Sequence, residues 1–302
     1  MANNLGSMFY AQGRFAEAEP FLRRAFEGRE RTLGRDHLST LQSLRNLGNL
    51  FSNQGKLTEA EQFSRRALEG YERTLGKDSP DTLEAAGGLG IILYELGKFT
   101  KAETLYRRSL KGLEKVLGKD HQQSLYALSN LGGLMQSMGK LDEAEPLMRR
   151  ALEGQERILG IDHPSAVSTR GNLGVVLRDQ GRLAEAEPFM RSVLERLEHT
   201  RGRDHPKTLR SVSNIGMLLQ SQGKHVESEL FLRRALEGYE RTLGKEHPDT
   251  LHSMYSLGEL RQEQGELAEA EQLFRRVLEG QERTLGSDHP ETRKTRQQLR
   301  RL

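Results

Sequence analysis

Six of the nine histidines recur at one register, His37, His121, His163, His205, His247 and His289, separated by 42 residues or a multiple of it. Such a series invites metal ligation or a proton relay. Geometry opposes both, because packed helix axes lie roughly 8 to 10 Å apart and equivalent residues of successive repeats are two helices apart. Ligands to one zinc must converge to about 2.0 to 2.1 Å from it. These histidines are expected to be turn or capping residues, several ahead of a proline, and no metal site is expected. His199, His225 and His252 fall outside the series with no second ligand at a recurring spacing.

Gly-Lys follows an earlier glycine at Gly70 to Gly76-Lys77, Gly112 to Gly118-Lys119 and Gly238 to Gly244-Lys245. A phosphate loop needs four intervening residues and a Ser or Thr after the lysine. Here five intervene, and Asp78, Asp120 and Glu246 would repel phosphate. Gly87-Gly88-Leu89-Gly90 opens no strand-turn-helix unit, and no Ser-x-x-Lys, Gly-x-Ser-x-Gly or His-Glu-x-x-His motif occurs. Neither catalysis nor a cofactor is expected.

Arginine pairs at 23–24, 65–66, 107–108, 149–150, 233–234 and 275–276 form a basic ladder that could track a nucleic-acid backbone. Glu61 precedes Arg65 by four residues and Glu69 follows it by four, the spacing of helix-surface ion pairs. Aromatic stacking residues are lacking, so no nucleic-acid partner is expected. The balance of 46 Lys and Arg against 43 Asp and Glu gives a net charge of only +3. With no cysteine, disulfides and thiolate chemistry are excluded. A mean hydropathy of −0.70 argues against a membrane span. No secretory pattern opens the chain, and a cytoplasmic protein with no membrane partner is expected.

Every one of these series has the same period. Asn46-Leu47-Gly48 recurs in closely related form at 4–6, 88–90, 130–132, 172–174, 214–216 and 256–258. The spacing predicts one repeat domain over 1–302, built of units 4–45, 46–87, 88–129, 130–171, 172–213, 214–255 and 256–297. A C-terminal capping helix is expected at about 290–302. Within a unit, Leu125, Leu128, Leu131, Met135 and Met138 mark one amphipathic helix, and Leu141, Ala144, Met148, Ala151 and Ile158 a second. Gly139 and Gly160 end them. Five prolines open the first-type helix, and Pro20, Pro146 and Pro188 are expected near the start of the second-type helix, none deep inside.

Two further glycine series lie inside helices, where each costs about 1 kcal/mol relative to Ala. Gly6 through Gly258 suggests close approach of two helices. Gly28, Gly70, Gly112, Gly154, Gly238 and Gly280, replaced by Arg196 in one unit, is read as packing against the next repeat.

Leu47-Gly48-x-x-Phe51, Gly55, Ala60 with Tyr106, Met148 or Phe274 four after its counterparts, and Ala67 resemble the tetratricopeptide repeat. The tail Leu68 to Leu83 adds eight residues to the usual 34 and is similar to the long repeats of kinesin light chains. The heptad segment that holds a motor heavy chain has no counterpart here. The resemblance implies an all-α, right-handed superhelical solenoid of antiparallel helix pairs, with first helices lining a concave groove.

Carried onto this chain, the groove positions of that family are Gln42, Arg45, Asn46, Asn49, Ser52 and Asn53, then Glu84, Ile91, Tyr94 and Glu95. They continue as Tyr126, Asn130 and Gln136, as Asn172, Arg178 and Asp179, as Arg210, Asn214 and Gln220, and as His252, Tyr255 and Glu259. An amide both donates and accepts, which suits an extended peptide backbone. The Asn series is continuous only through Asn130, Asn172 and Asn214, the expected centre of binding.

The resemblance thus implies a non-enzymatic scaffold holding a protein or peptide ligand. The alternatives are a kinesin light chain cargo adaptor and the sensor array of a larger regulatory ATPase. Met1 falls about nine residues into the expected first helix, which leaves Leu5, Met8 and Phe9 thinly covered. A missing upstream segment or end-to-end self-association would follow.

Overall fold

The structure, a computed structural model, describes residues 2–302, with side chains from residue 5. Among them every regular element is a helix. Contacts divide the chain into two compact units, 1–138 and 139–302. The first holds α1 (Ala2–Ala11), α2 (Phe15–Leu33), α3 (Leu38–Asn53), α4 (Leu57–Leu75), α5 (Pro80–Glu95), α6 (Phe99–Leu117) and α7 (Gln122–Ser137). The second holds α8 (Leu141–Leu159), α9 (Pro164–Asp179), α10 (Leu183–Arg201), α11 (Pro206–Ser221), α12 (His225–Leu243), α13 (Pro248–Glu263), α14 (Leu267–Thr284) and α15 (Pro290–Leu299). None of these helices is long and apolar enough to cross a membrane.

Within each unit, helices pack in consecutive antiparallel pairs, and glycine sets the distance. A Cβ on Gly90 of α5 would stand 2.8 Å from Tyr106 Cε1 of α6, so these backbones meet where only hydrogen fits. Seven residues earlier on α5, Leu83 lies against Gly112 of α6, six residues later, which is the register of an antiparallel pair. The close approach expected of the first glycine series is present. The second series does not face the next repeat. Gly70, Gly112, Gly238 and Gly280 receive Leu41, Leu83, Leu209 and Leu251 of the helix before them, because a leucine there needs the room a missing side chain leaves.

The links are short. Gly55 (φ 74°) turns α3 into α4 and Gly76 (φ 81°) ends α4, both in the left-handed region that Cβ disfavours. After the second type of link, Thr40, Thr82, Ser124, Thr208 and Thr250 donate a hydroxyl to the carbonyl of the glycine six residues earlier, at 2.7 to 2.8 Å. The histidine series then caps the next helix. Nδ1 of His37, His121, His163, His205, His247 and His289 accepts the N–H two residues on, at 3.1 to 3.3 Å. That satisfies a donor with no partner inside the helix.

Pro20, Pro146 and Pro188 correct the sequence expectation. Each is the sixth residue of its helix, beyond the first turn, where the missing N–H forfeits a backbone hydrogen bond. At the two ends, Leu5 and Met8 of α1 are exposed, whereas Leu299 and Leu302 pack against a core of α13 and α14 that includes Leu257 and Phe274.

Candidate functional site

In the first unit the groove positions lie on α3, α5 and α7, and much of their hydrogen-bonding capacity is already used. Asn53 donates to the Tyr10 hydroxyl at 2.9 Å, Ser52 donates to Glu95 at 2.5 Å, and the Tyr94 and Ser137 hydroxyls meet at 2.9 Å. Each bond spans 43 residues, from one position of a first helix to the following position of the next. Arg45 is held by Glu84 at 2.5 Å. Burial raises the Glu95 carboxyl above the usual range, with the Ser52 hydroxyl partly offsetting it. The Tyr126 hydroxyl accepts from Gln122 at 3.3 Å, Gln136 lies half-buried at the end of α7, and Asn49 stays exposed.

The asparagine series behaves differently. Asn46 and Asn130 in this unit, and Asn172 and Asn214 in the second, are half-buried, yet among the described residues no group donates to or accepts from their side-chain amides. They neither cap nor bridge helices.

In the second unit, Asn172 of α9 and Asn214 of α11 line one cavity of about 130 Å³, together with Arg210. Its floor is apolar, formed by Val167, Met190, Val193 and Leu197. Lys207 and Arg201 stand at its rim. Burial lowers the Lys207 ammonium below its ordinary value, and the neighbouring Arg210 and Arg201 push in the same direction. Burial also lowers His205, reinforced by Arg201 and Lys207. Asp162, the acid at this cavity, is engaged by Arg196 at 3.1 Å.

The other positions in this unit are more self-contained. Arg178 is turned onto Asp179 at 2.6 Å and lies close enough to Glu259 for its charge to be felt there. Burial raises the Glu259 carboxyl, while Lys294, Tyr255 and Arg178 offset part of that. Gln220 sits half-buried at the end of α11.

Sequence reasoning overlooked the cavity. Lys207, Leu197 and Val167 carry no motif, and Arg196 registered only as an exception to a glycine series. The available signal was the departure of these residues from their counterparts in other repeats. The arginine ladder is ion-paired. Arg23, Arg65, Arg107, Arg149, Arg191, Arg233 and Arg275 each meet the glutamate four residues earlier, at 2.5 to 2.9 Å. Arg66, Arg108 and Arg234 reach the preceding second-type helix at Glu30, Glu72 and Glu198.

Antiparallel helix pairs repeating every 42 residues around paired glycines define a helical-repeat protein. The chain belongs to the tetratricopeptide repeat family, whose profile matches residues 1–73, 50–115, 123–199, 165–241 and 207–283. A search of curated proteins finds no match. Among solved structures, a Podosopora anserina protein named for kinesin light chain, with nearly identical TPR-like repeats, is 22% identical. That match covers 68% of this chain and 98% of the other, with a TM-score of 0.54. The apo form of RapI is similar at TM-score 0.73 and 14% identity, over 94% of this chain and 97% of its own. NprR in complex with its cognate peptide NprX is similar at TM-score 0.69 and 14% identity, over 99% of this chain and 83% of its own. These likenesses concern the fold.

Proposed function

We propose that this chain is a non-enzymatic cytoplasmic scaffold that holds an extended peptide segment of a partner protein against its first-type helices. The observation that carries the reading is the asparagine series. Among the described residues, Asn172 and Asn214 each present a donor and an acceptor with no internal partner, the capacity an extended backbone needs to be read independently of its side chains. A half-buried amide with no internal partner is costly to keep unless water or a ligand satisfies it. The peptide bound to NprR, a protein of similar fold, supports the same reading. Asn46 and Asn130 are the corresponding half-buried amides of the first unit and support the same reading.

The test is random-peptide display on the folded protein beside the Asn172→Ala, Asn214→Ala variant, matched for helicity and melting. A motif enriched on the parent and lost on the variant is expected. Absence of enrichment, or enrichment that survives both substitutions, would overturn the reading.

A further inference from the structure

In a chain of closely similar repeats, positions that differ together are informative, and here they surround one cavity. The pair α9 and α10 departs from its neighbours at several contacting positions. Val167 stands where the other pairs place Leu41, Leu83, Leu209 or Leu251. Arg196 replaces the glycine that receives that leucine. Leu197, half-buried, stands where α4 and α12 carry the buried Tyr71 and Tyr239 and α6 the buried Leu113. On the facing helix α11, Lys207 and Arg210 occupy the positions of Asp81 and Glu84 on α5 and of Asp249 and His252 on α13. Val167 is shorter than the leucine of the other pairs, and Lys207 and Arg210 give the mouth a charge opposite to that of Asp81 and Glu84 on α5.

The resulting site has two ends of different chemistry. Val167, Met190, Val193 and Leu197 make an apolar floor. Among the described residues no carboxylate pairs with Lys207, Arg210 or Arg201, whereas most arginines of the second-type helices are paired. Three cations held together repel one another, and an anion relieves that repulsion. The volume, about 130 Å³, is near that of a dry cavity of about 150 Å³ that admits benzene.

We infer that this cavity binds a carboxylate bearing an apolar group of about six carbons, the apolar body on Val167, Met190, Val193 and Leu197 and the carboxylate at Lys207 and Arg210. Asn172 and Asn214 flank it and can donate to the same carboxylate. The inference rests on the cavity and the charge reversal, not on peptide reading along the helices. The chemistry is shared by a free arylalkanoic acid and by the terminal residue of a chain ending in phenylalanine.

Calorimetric titration with 3-phenylpropanoate, and separately with an acetylated pentapeptide ending in phenylalanine, tests it. At least one is expected to bind saturably with Kd below about 1 mM. Tighter binding of the peptide assigns the site to a chain terminus, and equal or tighter binding of the free acid assigns it to a small acid. Leu197→Tyr, which installs the residue of α4 and α12 and fills the space, is expected to weaken binding at least about tenfold. Lys207→Asp with Arg210→His, again residues of a sister repeat, should do the same, and so should replacing the acid by 3-phenylpropanol. Failure of both probes to saturate, or binding unchanged in Leu197→Tyr at parental helicity, would overturn the inference. Peptide display reports on the asparagine reading by itself, so either can fail alone.

Discussion

Leu209 and Gly238 face one another so closely that a Cβ on Gly238 would stand 2.8 Å from Leu209 Cδ1. Leu209 is fully buried among Val212, Ala235 and Tyr239. Replacing Gly238 by alanine gains about 1 kcal/mol of helix propensity and incurs an overpacking cost of about 1 to 3 kcal/mol. Gly238→Ala is therefore expected to lower the urea midpoint, whereas Arg196→Ala, beside the shorter Val167, should leave it nearly unchanged. A rise in the midpoint for Gly238→Ala would show that Leu209 can move.

Arg261 is only 7% exposed and stands among three carboxylates, meeting Glu266 at 3.0 Å, Glu269 at 3.1 Å and also Glu229. Arg275, 67% exposed, meets Glu271 alone. Removing Arg261 deprives Glu229, Glu266 and Glu269 of one buried donor while water can still reach them, so Arg261→Ala is expected to cost about 1 to 3 kcal/mol. Arg275→Ala should cost less than about 0.5 kcal/mol. Equal denaturation midpoints for the two variants would contradict this.

Burial raises the Glu145 carboxyl, but hydrogen bonds from Gln180, Arg149 and Arg182 outweigh it and hold the group down to about 2. A depressed carboxyl contributes stability that is fully present above its unfolded value of about 4.3 and is lost as pH falls through its folded value. Melting temperature should drop between about pH 4.5 and 2, and Glu145→Gln should flatten part of that drop. The substitution itself is expected to cost about 1 to 2 kcal/mol at neutral pH. An unchanged acid profile in Glu145→Gln would count against this role.

His205 caps α11 through Nδ1, an acceptor only while unprotonated. Burial first, then Arg201 and Lys207, lower its proton affinity. The folded value lies below the unfolded one, so the stabilisation is complete above about pH 6.5 and is lost as pH falls through the folded value. His205→Asn keeps a good cap without the titration. It should match the parent at pH 8 and exceed it at pH 5.5, whereas His205→Ala should lose about 1 kcal/mol at pH 8. Thermal melts at both values decide it.

Why some of this could be read beforehand follows from how each feature is encoded. Helix pairs announce themselves because Leu125, Leu128 and Leu131 must share a face, and glycines such as Gly55 must end what they end. Distance excluded a shared metal at the histidines, and their place after a helix-ending glycine, several ahead of a proline, marked them as turn or capping residues. The partner of Gly70 did not, since one glycine can receive a side chain from either neighbouring helix and only the register of Leu41 decides between them. Tyr10 with Asn53, and Tyr94 with Ser137, join residues 43 apart through rotamers that spacing leaves undetermined. The cavity beside Leu197 was hardest, because a void is written as the absence of bulk spread over three helices.

The hydroxyl that Thr40, Thr82, Thr208 and Thr250 each return to a glycine carbonyl has a consequence for inheritance. Its donor, its acceptor and the histidine, or Ser79, that opens the next helix all lie within a few consecutive residues. A crossover between two copies of the underlying coding block would therefore rejoin complementary ends with every local bond intact. Gain or loss of a whole block is then the cheapest viable mutation open to such a gene, and single-residue insertions at these junctions are among the most damaging.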